Sequence, residues 1–289
     1  MTRYLDPKND FIFKKIFDHH PDLLKSFLNA VLPLPEGCVI ESLTYLVSEH
    51  VPILDGAKSS IVDVRCKDNH GHYFIVEMQM EWIKDFIKRM LYNTATTYVQ
   101  QLKKGEPYQK LSPVYGLALL NDRFEEGEEW FHHYKMNHVT NDKKTLDDIQ
   151  LVLIELPKLK PTTITEKKPA ILWLRFLKEV NEKTKEIDPH LLEVKEIKQA
   201  LDLLEVASYN EAELLEYDKR CDLVSSEKTL LICKFAEGLA QGKTEGRAEG
   251  VTEMVLNMYE AKIPLEQIAS VAKTSLEEVQ NLLRRFTNS

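Results

Sequence analysis

Two runs of residues decide the fold: Ile61-Val62-Asp63-Val64-Arg65-Cys66 and Tyr73-Phe74-Ile75-Val76-Glu77-Met78-Gln79-Met80. In each run, apolar side chains occupy every second position, which is the period of a β-strand with one buried face. The turn-forming cluster Asp68-Asn69-His70-Gly71 lies between them. The pattern therefore predicts an antiparallel hairpin whose two apolar faces coincide.

The length of the hairpin loop determines which side chains lie opposite one another. A slip of one residue would turn every side chain of a strand to the other face, so only loops with an odd number of residues keep the apolar faces together. A three-residue loop, Asn69-His70-Gly71, meets this condition, and Gly71 suits the left-handed position of a common hairpin turn. With that loop, Asp63 lies directly opposite Glu77.

This pairing indicates chemistry, because like charges placed opposite each other destabilise a sheet. Two carboxylates with Cβ atoms about 5 Å apart are accounted for by a bound hard cation, whose preferred ligands are oxygens. Gln79 lies one step further along the same face. Spacing alone leaves a second interpretation open, an ordinary solvated sheet face on which Asp and Glu are common.

Hydrophobic periodicity predicts the elements on either side of the hairpin. Residues 9–32 form two helices and residues 42–47 a strand, while a helix over about 86–104 precedes the apolar strand Val114–Leu120. The apolar residues of that long helix, which we expect to face inward, are Phe86, Ile87, Met90, Leu91, Tyr98, Val99 and Leu102. The later elements are strands around 129–136 and 149–156, followed by helices alone after Pro169.

The C-terminal part contains glycines at four-residue spacing, Gly238, Gly242, Gly246 and Gly250. Two interpretations stay open: a flexible linker, because each glycine disfavours a helix, or a stripe that lets a second helix approach closely. Residues 262–286 are predicted to form helix, turn and helix. Glu277 occupies the start of the last helix, where a DNA-reading helix would contact DNA, so this tail favours packing or docking of a partner.

Composition excludes several classes of protein. Among the 289 residues, 43% are hydrophobic and 29% charged, a globular balance that rules out wholesale disorder. The sequence has neither an apolar stretch long enough for a membrane helix nor a secretory signal, which predicts a soluble, cytoplasmic protein. It also has no CxxC pair, which argues against disulfides and structural zinc. The net charge of −8 argues against strong non-specific binding of nucleic acid, because Lys and Arg supply most of that affinity. All of this charge lies in residues 122–289, so it does not exclude a locally basic cleft in the neutral residues 1–121.

Three motifs together resemble the PD-(D/E)XK nuclease family of transposases and recombination-promoting nucleases. They are Asn9-Asp10-Phe11-Ile12-Phe13-Lys14-Lys15-Ile16-Phe17, Ile61-Val62-Asp63-Val64 and Val76-Glu77-Met78-Gln79-Met80. The resemblance covers about residues 4–158. It implies a restriction-endonuclease-like α/β core, helix–β–β–β–helix–β, with a mixed sheet flanked by helices, to which this chain adds an all-α C-terminal extension.

The resemblance also implies site residues. Asp63, Glu77 and the backbone carbonyl of Met78 would bind Mg²⁺, for which Mn²⁺ or Ca²⁺ substitutes in vitro, and Asp10 would lie near the metal. Gln79 stands where the wider superfamily has Lys, and it lacks the positive charge of that residue. The basic residues placed to contact DNA phosphates are Lys14, Lys15, Lys84, Lys88 and Arg89, although each taken singly is better explained as part of a solvated helix face.

The sequence therefore predicts a Mg²⁺-dependent DNA endonuclease linked to recombination or mobile DNA. The alternative is a catalytically inert nuclease-like module that binds DNA or protein. A third hypothesis makes the glycine repeat and the tail a regulatory or oligomerising element that governs access to the nuclease, with homo-oligomers formed through the C-terminal helices. We expect a nuclease-like domain over 1–160, an acidic helical extension over 161–236, and the glycine repeat with its tail over 237–289.

Overall fold

A six-stranded mixed sheet with helices on both faces forms the framework of the first part of the chain. The structure is a computed structural model and describes residues 3–46, 49–50, 60–61, 63–79, 85–160 and 169–287. These residues form two compact units, 1–224 and 225–289. The sequence-derived boundaries at 160 and 236 stay predictions.

The elements follow the predicted order, except for a short two-stranded ribbon before the hairpin, which includes Ile61 and was not predicted. The strands are β1 Leu43–Tyr45, β2 Glu49–His50, β3 Ser60–Ile61, β4 Val64–Asp68, β5 Tyr73–Gln79, β6 Val114–Leu120, β7 Phe131–His138 and β8 Asn141–Glu155. The helices are α1 Asp10–Phe17, α2 Pro21–Val31, α3 Phe86–Val99, α4 Pro169–Glu179, α5 Lys195–Leu204, α6 Glu211–Glu260, α7 Leu265–Ala272 and α8 Leu276–Thr287. The order in the main sheet is β1-β4-β5-β6-β8-β7, and β2 pairs with β3 in a separate ribbon.

The hairpin register predicted from the sequence is confirmed. Strands β4 and β5 are antiparallel, with Val64 opposite Val76 and Lys67 opposite Tyr73. Gly71 adopts a φ of 94°, the left-handed conformation that the three-residue loop requires. Strand β5 then runs parallel to β6, and β6 parallel to β8, so these three strands end at the same edge of the sheet.

The two faces of the sheet are buried by different helices. One face packs against α1, α2, α4 and α5 in a core centred on aromatic side chains: Phe13, Phe17, Phe27, Trp173 and Phe176. The other face packs against α3 through a smaller apolar cluster that includes Ile75, Phe86 and Met90. Because side chains alternate along β5, Phe74, Val76 and Met78 belong to the first core, whereas Ile75 and Glu77 face α3.

The predicted inward face of α3 is wrong at Leu91 and Val99, whereas Phe86 and Met90 are buried as predicted. Leu91 and Val99 are 48% and 59% exposed, and the buried side contains Asn93, Thr94 and Thr97 instead. The reason is the surface that α3 covers. The sheet presents a carboxylate and a glycine there, so polar and small side chains fit better than leucine or valine.

Gly116 on β6 sets how closely α3 approaches the sheet. A Cβ at this position would lie 2.5 Å from Thr94 Oγ1, 2.9 Å from Met90 Cε and 2.9 Å from Leu151 Cδ2. The Thr94 hydroxyl cannot easily turn away, because it donates a hydrogen bond to the Met90 carbonyl at 2.8 Å. Only glycine therefore allows the observed packing.

We expect Gly116→Ala to lower the free energy of unfolding by about 2 kcal/mol, the usual cost of overpacking. For a unit of this size, that corresponds to a fall in Tm of roughly 4–8 °C. The matched control is Gly238→Ala on α6, where an added Cβ meets open space and the substitution favours the helix. Thermal melts of both variants check this, and an unchanged Tm for Gly116→Ala would contradict it.

The second unit is helical. Helix α6 begins in the first unit and continues through all four repeated glycines, so the flexible-linker interpretation of the repeat is wrong for this structure. Its C-terminal end packs with α7 and α8 around a small core: Val255, Ile268, Ala269, Val279 and Leu283. The capping box that opens α8 is confirmed, because Glu278 N–H donates to Ser275 Oγ and Ser275 N–H donates to a Glu278 carboxylate oxygen.

Among the described residues, no helix is both long enough and apolar enough to cross a bilayer.

Candidate active site

Asp63 and Glu77 meet where the hairpin ends. Asp63 immediately precedes β4, one step beyond the Val64–Val76 pair, which places it opposite Glu77. Its Oδ2 accepts a hydrogen bond of 2.7 Å from the backbone N–H of Met78. In an extended strand the N–H and C=O of one residue point to the same side, so the Met78 carbonyl is also turned toward Asp63. Two carboxylates and one backbone oxygen are thus brought to one place.

Glu77 is held by helix α3. The residue is only 5% exposed. Asn93 Nδ2 donates to Glu77 Oε1 at 2.8 Å, and Arg89 Nη2 donates to Oε2 at 3.3 Å. The same Arg89 nitrogen donates to Gln79 Oε1 at 2.7 Å. Arg89 therefore joins the two polar residues that β5 presents at the end of the hairpin.

Burial sets the protonation behaviour of both carboxyl groups. Desolvation raises the pKa of Asp63, against the opposing effects of the Met78 N–H and the Lys14 ammonium. Desolvation likewise raises the pKa of Glu77, while Arg89 and Asn93 act in the opposite direction and the charge of Asp63 adds to the rise. The folded protein thus holds two coupled acids in an environment that disfavours their charged forms.

Helix α1 brings a third acid and its neighbours to the same region. Asn9 caps this helix by accepting from Phe11 N–H at 3.1 Å. Lys14 Nζ lies 3.4 Å from Asp63 Oδ1, and Asp10 Oδ2 accepts from Arg220 Nη1 at 2.7 Å. Each of the three acids is therefore paired with a basic side chain from a different element.

The other basic residues proposed for DNA contacts lie in varied settings. Lys15 Nζ pairs with Glu213 at 2.5 Å and lies 3.9 Å from the centre of the Tyr209 ring. Lys88 is highly exposed and pairs with Asp85. Lys84 lies outside the described residues. The structure thus places Lys14 and Arg89 in the acidic site and Lys15 and Lys88 beside other partners.

The donor set fits a hard divalent cation. Asp63, Glu77 and the Met78 carbonyl supply only oxygen atoms, the ligands that such cations prefer. Across the described ranges, no three His, Cys, Asp or Glu side chains are grouped closely enough to hold a metal ion. The role of Asp10 beside the metal therefore stays a prediction, and the site rests on two carboxylates and one backbone oxygen.

Sequence reasoning missed two residues of this site. Asn93 lies on the buried side of α3, and its only signal is an amide at helical spacing from Met90 and Phe86 within an apolar pattern. Arg220 lies 210 positions from Asp10, so no local pattern could have joined them.

Comparison with known proteins identifies the family of the chain. The sequence profile of the family described as "PD-(D/E)XK nuclease family transposase" matches residues 7–231, which include all the residues of the site. Neither a curated protein nor a solved structure matches the chain. The mixed sheet and its flanking helices are consistent with the restriction-endonuclease-like α/β fold of such nucleases. With the match covering most of its length, the chain belongs to the PD-(D/E)XK nuclease family of transposases.

Proposed function

We propose that this protein is a metal-dependent endonuclease that hydrolyses phosphodiester bonds of DNA. The observation that carries the proposal is the pair of buried carboxylates, Asp63 and Glu77, opposed at the end of the hairpin beside the Met78 carbonyl. Nucleases of this family generally use divalent metals. A buried like-charge pair destabilises the fold, and a cation binding there would relieve that repulsion.

The chemistry of hydrolysis matches these residues. A bound Mg²⁺ supplies positive charge at the phosphate and an acidified water, and Mn²⁺ is the natural substitute in vitro. Asp63, Glu77 and the Met78 carbonyl would hold it. The amide of Gln79 is placed to orient the attacking water, and its own orientation is fixed by the hydrogen bond from Arg89.

Arg89 supplies the charge that Gln79 lacks. Its guanidinium lies within hydrogen-bonding distance of Gln79 and its side chain is 45% exposed, so it can also reach a bound substrate. Negative charge builds on the phosphate oxygens during hydrolysis, and a preorganised cation beside them lowers the barrier. In this proposal, an arginine from α3 provides the positive charge near the phosphate that a lysine at position 79 would provide.

An inert binding module is the second candidate. It is favoured by the three ion pairs that already neutralise the acids, Lys14–Asp63, Arg89–Glu77 and Arg220–Asp10. Such a module would bind DNA or a protein partner without cutting. A role in recombination or mobile DNA, and homo-oligomers formed through α6, α7 and α8, belong to the proposal in either case.

A plasmid-nicking assay separates these functions. Supercoiled plasmid incubated with the full chain is expected to be nicked in Mg²⁺ and to remain intact in EDTA. Plasmid binding without nicking in either Mg²⁺ or Mn²⁺ would support the inert module and contradict the endonuclease. Nicking that persists unchanged in EDTA would contradict the metal dependence.

A further inference from the structure

The first turns of α6 are built into the same unit as the candidate active site. Tyr217 is 4% exposed, and its hydroxyl accepts from the backbone N–H of Asp6 at 3.1 Å and donates to Glu182. Leu214 and Cys221 pack against the main core. This part of the helix is therefore anchored by buried groups and holds a fixed position against α1.

Arg220 lies on the anchored stretch and is directed at the site. Its Nη1 donates to Asp10 Oδ2 at 2.7 Å, and its Nε donates to Glu216 Oε1 at 2.9 Å. The side chain remains 43% exposed. An ion pair this exposed contributes little to stability, so stability alone is a weak reason for an arginine at this position.

The surrounding charges make the position unusual. Residues 211–222 contain five acidic side chains and only two basic ones, Lys219 and Arg220. Lys219 is exposed, whereas Arg220 turns to α1 and pairs with a site acid. A general attraction for DNA is therefore not expected from this stretch, and Arg220 is suited to a single local contact.

We propose that Arg220 binds a backbone phosphate of DNA at the candidate active site, oriented for this by Asp10. The planar guanidinium matches the geometry of a phosphate, and its five N–H donors allow it to keep its contacts with Asp10 and Glu216 while it binds another anion. This inference rests on the proposed function in taking DNA as the substrate. It extends the DNA-binding surface to the beginning of α6.

The test measures DNA affinity rather than cleavage. Fluorescence anisotropy with a labelled duplex is recorded in EDTA at several salt concentrations for the full chain. Arg220→Gln is expected to weaken binding about five- to tenfold and to lower the salt slope by about 0.9, the loss of one phosphate contact. Lys219→Gln removes the same charge one residue away and is expected to change affinity less than twofold.

A double variant separates contact from simple charge balance. Arg220→Gln leaves Asp10 uncompensated, and that charge alone would repel DNA. In Asp10→Asn with Arg220→Gln the local charge equals that of the wild type, and we expect the affinity to stay low because the phosphate contact is still missing. Arg220→Lys keeps the positive charge but lacks the planar guanidinium, so it is expected to bind DNA with intermediate affinity. It also provides a second variant in case Arg220→Gln does not fold.

The outcomes distinguish the two proposals. Wild-type affinity in Arg220→Gln, or its recovery in the double variant, would overturn the role of Arg220 while leaving the endonuclease intact. Failure of the wild-type chain itself to bind DNA would overturn both. Thermal melts of every variant establish that the fold is retained.

Discussion

Cleavage of DNA is expected to fall by about a thousandfold or more in Asp63→Asn and in Glu77→Gln, because each change removes one of the two carboxylates proposed to bind the metal. The fold should survive both changes. Burial raises the pKa of each group, which means that the folded protein disfavours the charged form. A neutral amide of the same shape relieves that penalty, so Tm in EDTA is expected to stay level or rise slightly.

The matched control is Asp85→Asn. Asp85 lies just before α3, is exposed and pairs with Lys88, so its loss removes the same charge outside the site. Plasmid nicking in Mg²⁺ and thermal melts in EDTA, carried out on all four proteins, give the comparison. If preparations free of contaminating nuclease showed equal cleavage by the wild type and both site variants, the assignment of the site would be wrong.

Arg89→Ala should slow cleavage about a hundredfold, the usual effect of removing one group that stabilises transition-state charge. Lys88→Ala provides the control, because it removes a neighbouring positive charge that pairs with Asp85 instead. We expect that control to change cleavage by less than about threefold. Single-turnover rates at saturating DNA separate the chemical step from binding.

Arg89→Lys refines the same prediction. The ammonium keeps the charge and can still donate to Glu77 and Gln79 from one nitrogen, but it lacks the second amino group that a guanidinium offers to a phosphate. An intermediate rate is therefore expected. A rate for Arg89→Ala that equals the wild-type rate would show that Arg89 only positions α3.

The hairpin could be predicted from sequence because local rules determine it. A period of two assigns the faces, and Gly71 together with the three-residue loop determines the register. The opposition of Asp63 and Glu77 follows directly from these two facts. No knowledge of the remaining fold was needed.

The surroundings of these acids depend on tertiary packing instead. Apolar periodicity placed Leu91 and Val99 inside, but α3 turns Asn93 and Arg89 toward Glu77 because Gly116 and the carboxylate shape the surface beneath it. The rotation of a helix about its axis is decided by what it covers. That information lies in another segment of the chain.

The glycine repeat is a second place where local preference could not decide the structure. Each glycine disfavours a helix when considered alone, yet α6 runs unbroken from Glu211 to Glu260. The helix is bounded by anchored turns around Tyr217 at one end and by the small core around Val255 at the other. Packing at both ends overrides the propensity of the residues between them.

The N-terminal segment contacts residues that are synthesised much later, and this has a consequence for folding during translation. Leu5 N–H donates to the Leu204 carbonyl, and Asp10 pairs with Arg220, 210 positions later in the chain. A ribosome that adds about 5–20 residues per second needs roughly ten to forty seconds to travel that distance. During this interval the growing polypeptide already contains Asp10, Asp63 and Glu77, but the turn of α6 that contacts α1 through Arg220 has not yet been made. The contact between Asp10 and Arg220 therefore cannot form until translation has passed Arg220, which delays this arrangement of α1 until most of the protein has been made.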